Sequence, residues 1–440
     1  MSQSPSSEIT LPPTTHRWAD YAIAAVGLAI AAYFAVVFLR NPAGSEWYHV
    51  YVRAALRMRA GETINVVEPV GYAYPPAMAF CTVPLSWPPL WAGMLGWYLL
   101  NMAAAAAVFV FAWRLTGGPP LVGLAGRWLA VFALGAVLCL RFVFAPLEHQ
   151  QFDMVIAGLL MAGCWAVARG CDLRAGALLG AAAAMKLTPL LFAPYLVWRR
   201  KFAAAAVMLA VVAALNLLPD LLYPQQSGRL YLQDWRANYL APAAQQSAGT
   251  WFADATQNQS LAGLVGRLST AGPADLSTEQ GTADAGRNSK LVVYVLAAVL
   301  LAITAWRLGR PLRPPVIVPP DAVPPLPAQQ LQVGLESAAG VCLMLLLSPM
   351  SSKAHFVVML LPCFLIARLA IVDRLPSVRW LLIPLAILGP LSTKGFLGKQ
   401  LGGQALLWSF PAWFVLVALV CVWLGLGWLR RQERGLRLET

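Results

Sequence analysis

Apolar stretches of about 20 residues, long enough for a helix to cross a bilayer, recur along the whole 440-residue chain between short polar or basic breaks. They predict spans near 20–39, 90–113, 124–143, 150–168 and 202–222, then 289–307, 331–348, 355–371, 376–392 and 405–429. One further run, Ala175 to Trp198, departs from the pattern because Lys186 sits in its middle. An ammonium at the centre of a bilayer costs several kcal/mol, with estimates from roughly 2.5 to above 10. Arg169 and Arg174 precede the run, and Arg199, Arg200 and Lys201 close it. Basic flanks favour the cytoplasmic side, so the run is expected to enter and return as two short helices, 174–186 and 188–198. The break at Lys186-Leu187-Thr188-Pro189 then faces outward. The total is about 12 helices, which makes the chain an all-α polytopic membrane protein.

Charge supports the split independently of function. Counting from a cytoplasmic N-terminus puts four basic clusters inside: Arg199–Lys201, Arg307/Arg310/Arg313, Arg368/Arg374/Arg379 and Arg430/Arg431/Arg434/Arg437. Without the break at Lys186 the later clusters would fall outside. The chain divides into a Ser/Pro-rich cytoplasmic tail, 1–19, one membrane domain, 20–430, and a basic cytoplasmic tail, 431–440. The composition of the first tail is that of disordered sequence. The first apolar stretch lacks a small-residue cleavage site and reads as a retained span. Two outer loops are expected, 40–89 and 223–288, the second of low complexity from Thr270 to Ser289. The Pro-rich cytoplasmic segment 308–330 reads as an extended spacer. No soluble catalytic domain is evident, so any chemistry belongs to the membrane body and its outer loops.

Composition agrees, with 59% hydrophobic and only 12% charged residues. The net charge of +13 lies at span ends, where it sets topology and meets anionic lipid; it is not a sign of nucleic-acid binding. The seven cysteines show no metal spacing and suggest neither a disulfide framework nor a zinc site.

The polar residues that remain gather on the outer side. Glu46 opens the first loop in Gly44-Ser45-Glu46-Trp47-Tyr48-His49-Val50-Tyr51. As a helix, Trp47, Val50, Tyr51, Ala54, Ala55 and Met58 form an apolar stripe, with Glu46, His49, Arg53 and Arg57 opposite. Such a helix lies flat on a membrane, and Glu46 is a candidate general base there. An ordinary juxtamembrane helix with a solvated charged face is the simpler reading of these residues alone. Tyr74-Pro75-Pro76, Pro84 and Pro88-Pro89 make a rigid non-helical lead-in to the next span. Arg141 to Asp153 carries six polar or charged side chains at a span junction, among them His149, Gln150 and Gln151. Asp153 could cap the following helix; Arg141 reads as a surface charge or as a guanidinium for phosphate oxygens. Asn258-Gln259-Ser260 matches a glycosylation acceptor and equally a helix cap. Ser348 to His355 ends another span, where Lys353, His355 and neighbouring hydroxyls suggest an anion site. A carboxylate facing a basic, hydroxyl-rich pocket suits a lipid-phosphate substrate, although about 12 spans with intramembrane charge are normal for a transporter or flippase too. No internal repeat of the kind common in transporters is found.

In this order, these segments resemble the polyprenyl-phosphate-mannose-dependent α-mannosyltransferases of glycosyltransferase family 87, which have the GT-C membrane fold. The resemblance rests on Glu46 to Tyr51 with Ala54-Ala55 and Gly61, and on Tyr74-Pro75-Pro76 with Pro84-Leu85. It continues through His149-Gln150-Gln151, Ala175-Gly176 with Lys186-Leu187-Thr188-Pro189, Asn258-Gln259-Ser260-Leu261, and Ser348-Pro349 with His355. Such enzymes usually have aspartate where this chain has Glu46, and tend to have Gly-Gln and then Asn at Gln150-Gln151 and Asp153. The resemblance implies a membrane glycosyltransferase that moves a hexose, mannose by analogy, from a polyprenyl-phosphate donor to a lipid-linked or glycan acceptor at the outer face of the cell membrane, inverting the anomeric centre. Glu46 would be the base; Lys186, Arg141, His355 and Lys353 would meet the donor phosphate. Tyr51, Tyr74, His149, Gln151, Asp153, Asn258, Gln259 and Ser260 would contact substrate. Side-chain cations can hold the leaving phosphate, so neither a metal nor another cofactor is expected.

Overall fold

The computed structural model describes residues 17–42, 45–65, 71–242, 256–269, 288–309 and 327–438. Most of the N-terminal tail, the low-complexity stretch and the Pro-rich spacer lie outside these residues, as do Arg310, Arg313 and the side chains of Arg434 and Arg437.

Among the described residues every regular element is a helix. The segment after α1 (Arg17–Arg40) contains a π-wound turn, Trp47–Val52, that runs directly into α2 (Arg53–Arg59). Next come α3 (Pro76–Thr82), α4 (Leu90–Leu115), α5 (Gly126–His149), α6 (Asp153–Ala168) and α7 (Asp172–Met185). A 3-10 turn, Thr188–Leu191, leads into α8 (Phe192–Trp198), followed by α9 (Phe202–Leu222), α10 (Tyr231–Trp235) and α11 (Leu261–Ser269). The C-terminal half holds α12 (Asn288–Leu308), α13 (Pro327–Leu347), a 3-10 turn Lys353–Met359 entering α14 (Leu360–Ile371), α15 (Pro376–Leu388), α16 (Lys394–Leu407) and α17 (Phe410–Leu438).

Among the described residues, eight helices are long and apolar enough to cross a bilayer, or nine if the segment Pro376–Ser392 and α16, bent by 95°, count as one. The short α7 and α8 correspond to the expected split pair, whereas α6 is shorter than the span expected at 150–168, and 376–392 qualifies only together with α16. The 16 residues of α6 rise only ~24 Å, against a hydrocarbon core of ~30 Å. Nearly all of α6 is buried among other helices. Its ends therefore meet protein rather than lipid, the one setting in which broken backbone is tolerated at membrane depth.

The break at Lys186 is present. α7 ends at Met185, Lys186 is extended (φ −151°, ψ 121°), and Pro189 opens the next turn. The two flanks of the run are tied together by Lys201 Nζ on Asp172 Oδ1, 2.7 Å. The chain thus returns to the level from which it started. Close packing fixes the hairpin on α9: a Cβ at Gly176 would strike the Ala204 carbonyl oxygen, and one at Gly180 would lie 2.7 Å from the Met208 oxygen. Small residues four apart are the usual means of bringing helices together without a hydrophobic drive.

Hydrogen bonds sort the remaining helix ends into two levels. Trp198 Nε1 reaches the Gly309 oxygen (3.0 Å) and Arg199 the Leu308 oxygen (3.1 Å), while the Arg199 fork grips the buried Glu336 carboxylate midway along α13. Arg430 bonds the Trp306 oxygen, and the Gly123 amide bonds Asp20 at the start of α1. This level, rich in arginine, is the basic end of the bundle. Lys186, the α5–α6 junction and Ser348–His355 stand at the other.

Candidate active site

At that opposite end, helix geometry places a carboxylate next to a junction of short polar links. The apolar stripe of the first loop is realised: Trp47, Val50, Tyr51, Ala54, Ala55 and Met58 are all buried. The helix is packed into the protein, with Tyr51 stacked on Trp97 (5.2 Å between centroids), rather than lying free on a membrane surface. Its first turn is π-wound, the Arg53 amide bonding back to the Tyr48 oxygen. This changes the angular order along the helix, and Glu46 does not share a solvated face with Arg53 and Arg57. It is half-buried and accepts a hydrogen bond from Gln151 Nε2.

Gln151 is delivered by the end of α5. Pro146 lies within the helix, Gln150 closes it in the left-handed region (φ 53°), and the Gln151 amide returns to the Pro146 oxygen at 2.9 Å. Gln150 is spent on this cap, its Nε2 donating to the Leu147 oxygen. The Gln151 side-chain oxygen is buried and has no partner among the described residues, which leaves an acceptor unused beside Glu46.

One turn on, Asp153 begins α6 without capping it. Its Oδ1 receives Lys186 Nζ at 2.6 Å and lies 3.9 Å from His355 Nε2. The Ser352 amide donates to His355 Nδ1 (3.2 Å), so the ring proton of the neutral imidazole sits on Nε2, toward Asp153. Asp153, Lys186 and His355 line a narrow crevice with Thr188, Ser348 and Ser351. Its free volume is about 10 Å³, enough for one water. Lys186 has three donors, one of which goes to Asp153.

Two tyrosines join the Glu46 side to this crevice. Tyr51 and Tyr74 face each other hydroxyl to hydroxyl at 3.2 Å, and the Phe152 amide donates to Tyr51 Oη at 3.3 Å. Burial, and after it the nearby Glu46 and Asp153 charges, hold the Tyr51 hydroxyl well above its ordinary pKa, so it remains a hydrogen-bond donor. Burial likewise raises the Glu46 carboxyl; Asp153 adds to the rise, while Gln151, His149 and Lys186 oppose it. His149 is exposed at the end of α5.

Not every residue expected here arrives. Arg141 Nη1 is engaged by Ser392 (2.9 Å to Oγ) and does not line the crevice. Lys353, half-buried at the head of its 3-10 turn, does not line it either. Asn258, Gln259 and Ser260 are buried and turned onto protein. Asn258 Nδ2 donates to the Pro349 oxygen (2.9 Å), the Gln259 amide to the Ser351 oxygen (2.7 Å), and Ser260 Oγ caps α11 through the Gly263 amide. The cap reading of this motif holds. A fully buried Asn258 is no glycosylation acceptor. Trp97, the floor under Tyr51, had no local signal in an apolar span; Thr188 and Ser351 stood within motifs already singled out but were not assigned to the site.

The chain matches glycosyltransferase family 87 over residues 72–349, more than half its length. It belongs to that family. The polyprenol-phosphate-mannose-dependent alpha-(1-2)-phosphatidylinositol pentamannoside mannosyltransferase of Mycobacterium tuberculosis (strain CDC 1551 / Oshkosh) is 27% identical over 446 residues, covering 98% of this chain and 91% of that protein. The polyprenol-phosphate-mannose-dependent alpha-(1-2)-phosphatidylinositol mannoside mannosyltransferase of Mycolicibacterium smegmatis (strain ATCC 700084 / mc(2)155) is 27% identical over 255 residues, 55% of this chain and 51% of that protein. No solved structure matches the chain. This family 87 protein is a multi-pass membrane glycosyltransferase, and Glu46 with the Asp153–Lys186–His355 crevice is its candidate active site.

Proposed function

We propose that this glycosyltransferase moves mannose from a polyprenyl-phosphate donor to a glycolipid acceptor, inverting the anomeric centre, with Glu46 as base. The observation that carries the reading is the pairing of carboxylates: Asp153 is held by Lys186 at 2.6 Å, whereas Glu46, among the described residues, has only the neutral Gln151 amide. Glu46 is therefore the carboxylate available to take a proton. As the acceptor oxygen attacks the anomeric carbon, its proton passes to Glu46 and the bond from that carbon to the phosphate oxygen breaks. The electron pair leaves on polyprenyl phosphate. Lys186 and the Nε2–H of His355 stand where that charge develops. Gln151 Oε1, unpartnered among the described residues, receives a sugar hydroxyl. Asn258, Gln259 and Ser260 act as positioning residues that brace the loop carrying Ser351 and His355.

The activities for which both relatives are named support the donor, the sugar and a phosphatidylinositol-mannoside type of acceptor. Arginine at the far end of the bundle supports a cytoplasmic placement of that end, and hence an outward-facing crevice with both termini inside. The test uses purified protein in proteoliposomes, polyprenyl phosphate carrying radiolabelled mannose, and a phosphatidylinositol mannoside acceptor. Wild type should form labelled product. Glu46→Gln should lower the rate by ~10²–10⁴ while donor binding stays near the wild-type value. A Glu46→Gln protein that transfers at the wild-type rate would remove Glu46 as base.

A further inference from the structure

A second cleft lies far along the chain topology from the crevice, where the first turn of α5, the end of α14 and the start of α15 meet at the basic end. Its volume is about 470 Å³, and its lining is Arg127, Ala370, Ile371, Arg374, Arg379 and Leu382. That volume falls within the range of ligand pockets, roughly 300–1,000 Å³. Three guanidinium groups share it, and among the described residues none of the three forms an ion pair. The adjacent acid, Asp373, is already engaged by Arg368 at 3.3 Å; Arg368 also lies over the Trp128 ring. Arg379 is held in place by its Nε bond to the Ala370 oxygen (2.8 Å), which leaves its two terminal nitrogens for another acceptor.

Ordinary topology-setting arginines need only reach water. These three converge on one cavity and, among the described residues, are paired with no acid, and guanidinium forks match phosphate oxygens in bidentate geometry. The rest of the wall is apolar. α15 continues from it with Trp380, Ile383 and Ile387 exposed, a surface for acyl chains below a headgroup, with an aromatic ring of the kind found at membrane interfaces.

We propose that Arg127, Arg374 and Arg379 form a phosphate-binding site, separate from the candidate active site, that takes the headgroup phosphate of an anionic phospholipid. Free phosphate offers the same chemistry without the chains. The full-length protein, delipidated in detergent, is compared by native mass spectrometry after addition of phosphatidylglycerol, phosphatidylcholine or inorganic phosphate. The wild type should retain phosphatidylglycerol in preference to phosphatidylcholine. The R127Q/R374Q/R379Q protein should bind it about tenfold or more weakly, since several charge-assisted bonds are lost. A control triple, R169Q/R174Q/R200Q, removes equal charge from the same end and should bind as the wild type does. Single R127Q should show a partial loss, which covers the case of a poorly folded triple. Retention of inorganic phosphate through the same arginines, with no preference for the lipid, would move the assignment to free phosphate. Equal loss in both triples, or no loss in either, would overturn the site.

Discussion

Removing either partner of the Lys186–Asp153 pair tests the frame on which the site is built. The ammonium side chain is 14% exposed and the carboxylate 5%, at 2.6 Å. With an effective dielectric of about 20, their attraction at 2.6 Å is ~6 kcal/mol before desolvation is subtracted. Breaking a buried pair from one side typically costs ~3–5 kcal/mol, because the other charge is left uncompensated. Asp153→Asn and Lys186→Gln should each destabilise the protein by an amount of that order, measured by equilibrium unfolding from mixed micelles with increasing SDS. The double variant replaces two charges by two amides able to bond each other, and should cost less than the sum of the singles by ~2 kcal/mol or more. The Lys201–Asp172 pair, with the carboxylate 34% exposed, is the internal control. Its coupling should fall below ~1 kcal/mol, as for surface pairs. If the Lys186 and Asp153 singles cost under ~1 kcal/mol each and add without coupling, these residues do not meet, and the break at Lys186 does not open toward the α5–α6 junction.

Two further outcomes are expected. A base must be ionised to act, and burial raises the Glu46 carboxyl. Transfer should therefore decline as pH falls through a value above that of an ordinary glutamate, and the residual rate of Glu46→Gln should lack this acid limb in a kcat/KM profile. Gly180→Ala should force α7 from α9, since its Cβ would meet the Met208 oxygen at 2.7 Å and Val211 at 2.9 Å, at a cost of ~1–3 kcal/mol. Gly403→Ala, whose Cβ meets nothing within 4 Å among the described residues, should cause no such loss in SDS unfolding.

The membrane class and the hairpin at Lys186 were legible because both rest on strong, local energetic signals: a long apolar run, and a cation within one. The flanking charges told where the chain had to return, and the Lys201–Asp172 contact is the physical form of that constraint. Span count was less legible. A hydropathy window cannot distinguish α6, buried in the bundle and too short to cross, from a lipid-facing span. At the site, the sequence identified residue types without their partners. Asp153 reads as a helix cap, yet its oxygen belongs to Lys186, 33 positions away. Arg141 reads as a phosphate ligand, yet α15 and the turn after it bring Ser392 to its guanidinium. The facing of Glu46 depended on a π-wound turn that a 3.6-residue helical wheel does not anticipate.

The charge arrangement accounts for a reaction with no net change in site charge, on the proposed chemistry. A polyprenyl-phosphate sugar is a phosphodiester with one negative charge; the departing monoester carries up to two. Over the same step Glu46 gains a proton and loses its charge. Negative charge thus moves from the Glu46 side of Tyr51 to the Lys186–His355 side. Burial and Asp153 both disfavour the ionised Glu46, so its protonation relieves a cost present before reaction. Lys186, balanced by Asp153, attracts the singly charged donor weakly and the doubly charged leaving group more strongly. Interactions that strengthen only as the bond breaks raise kcat rather than tighten substrate binding. By this argument Asp153 is no bystander: as a neutral residue it would free Lys186 to bind donor and product alike, and the differential would shrink.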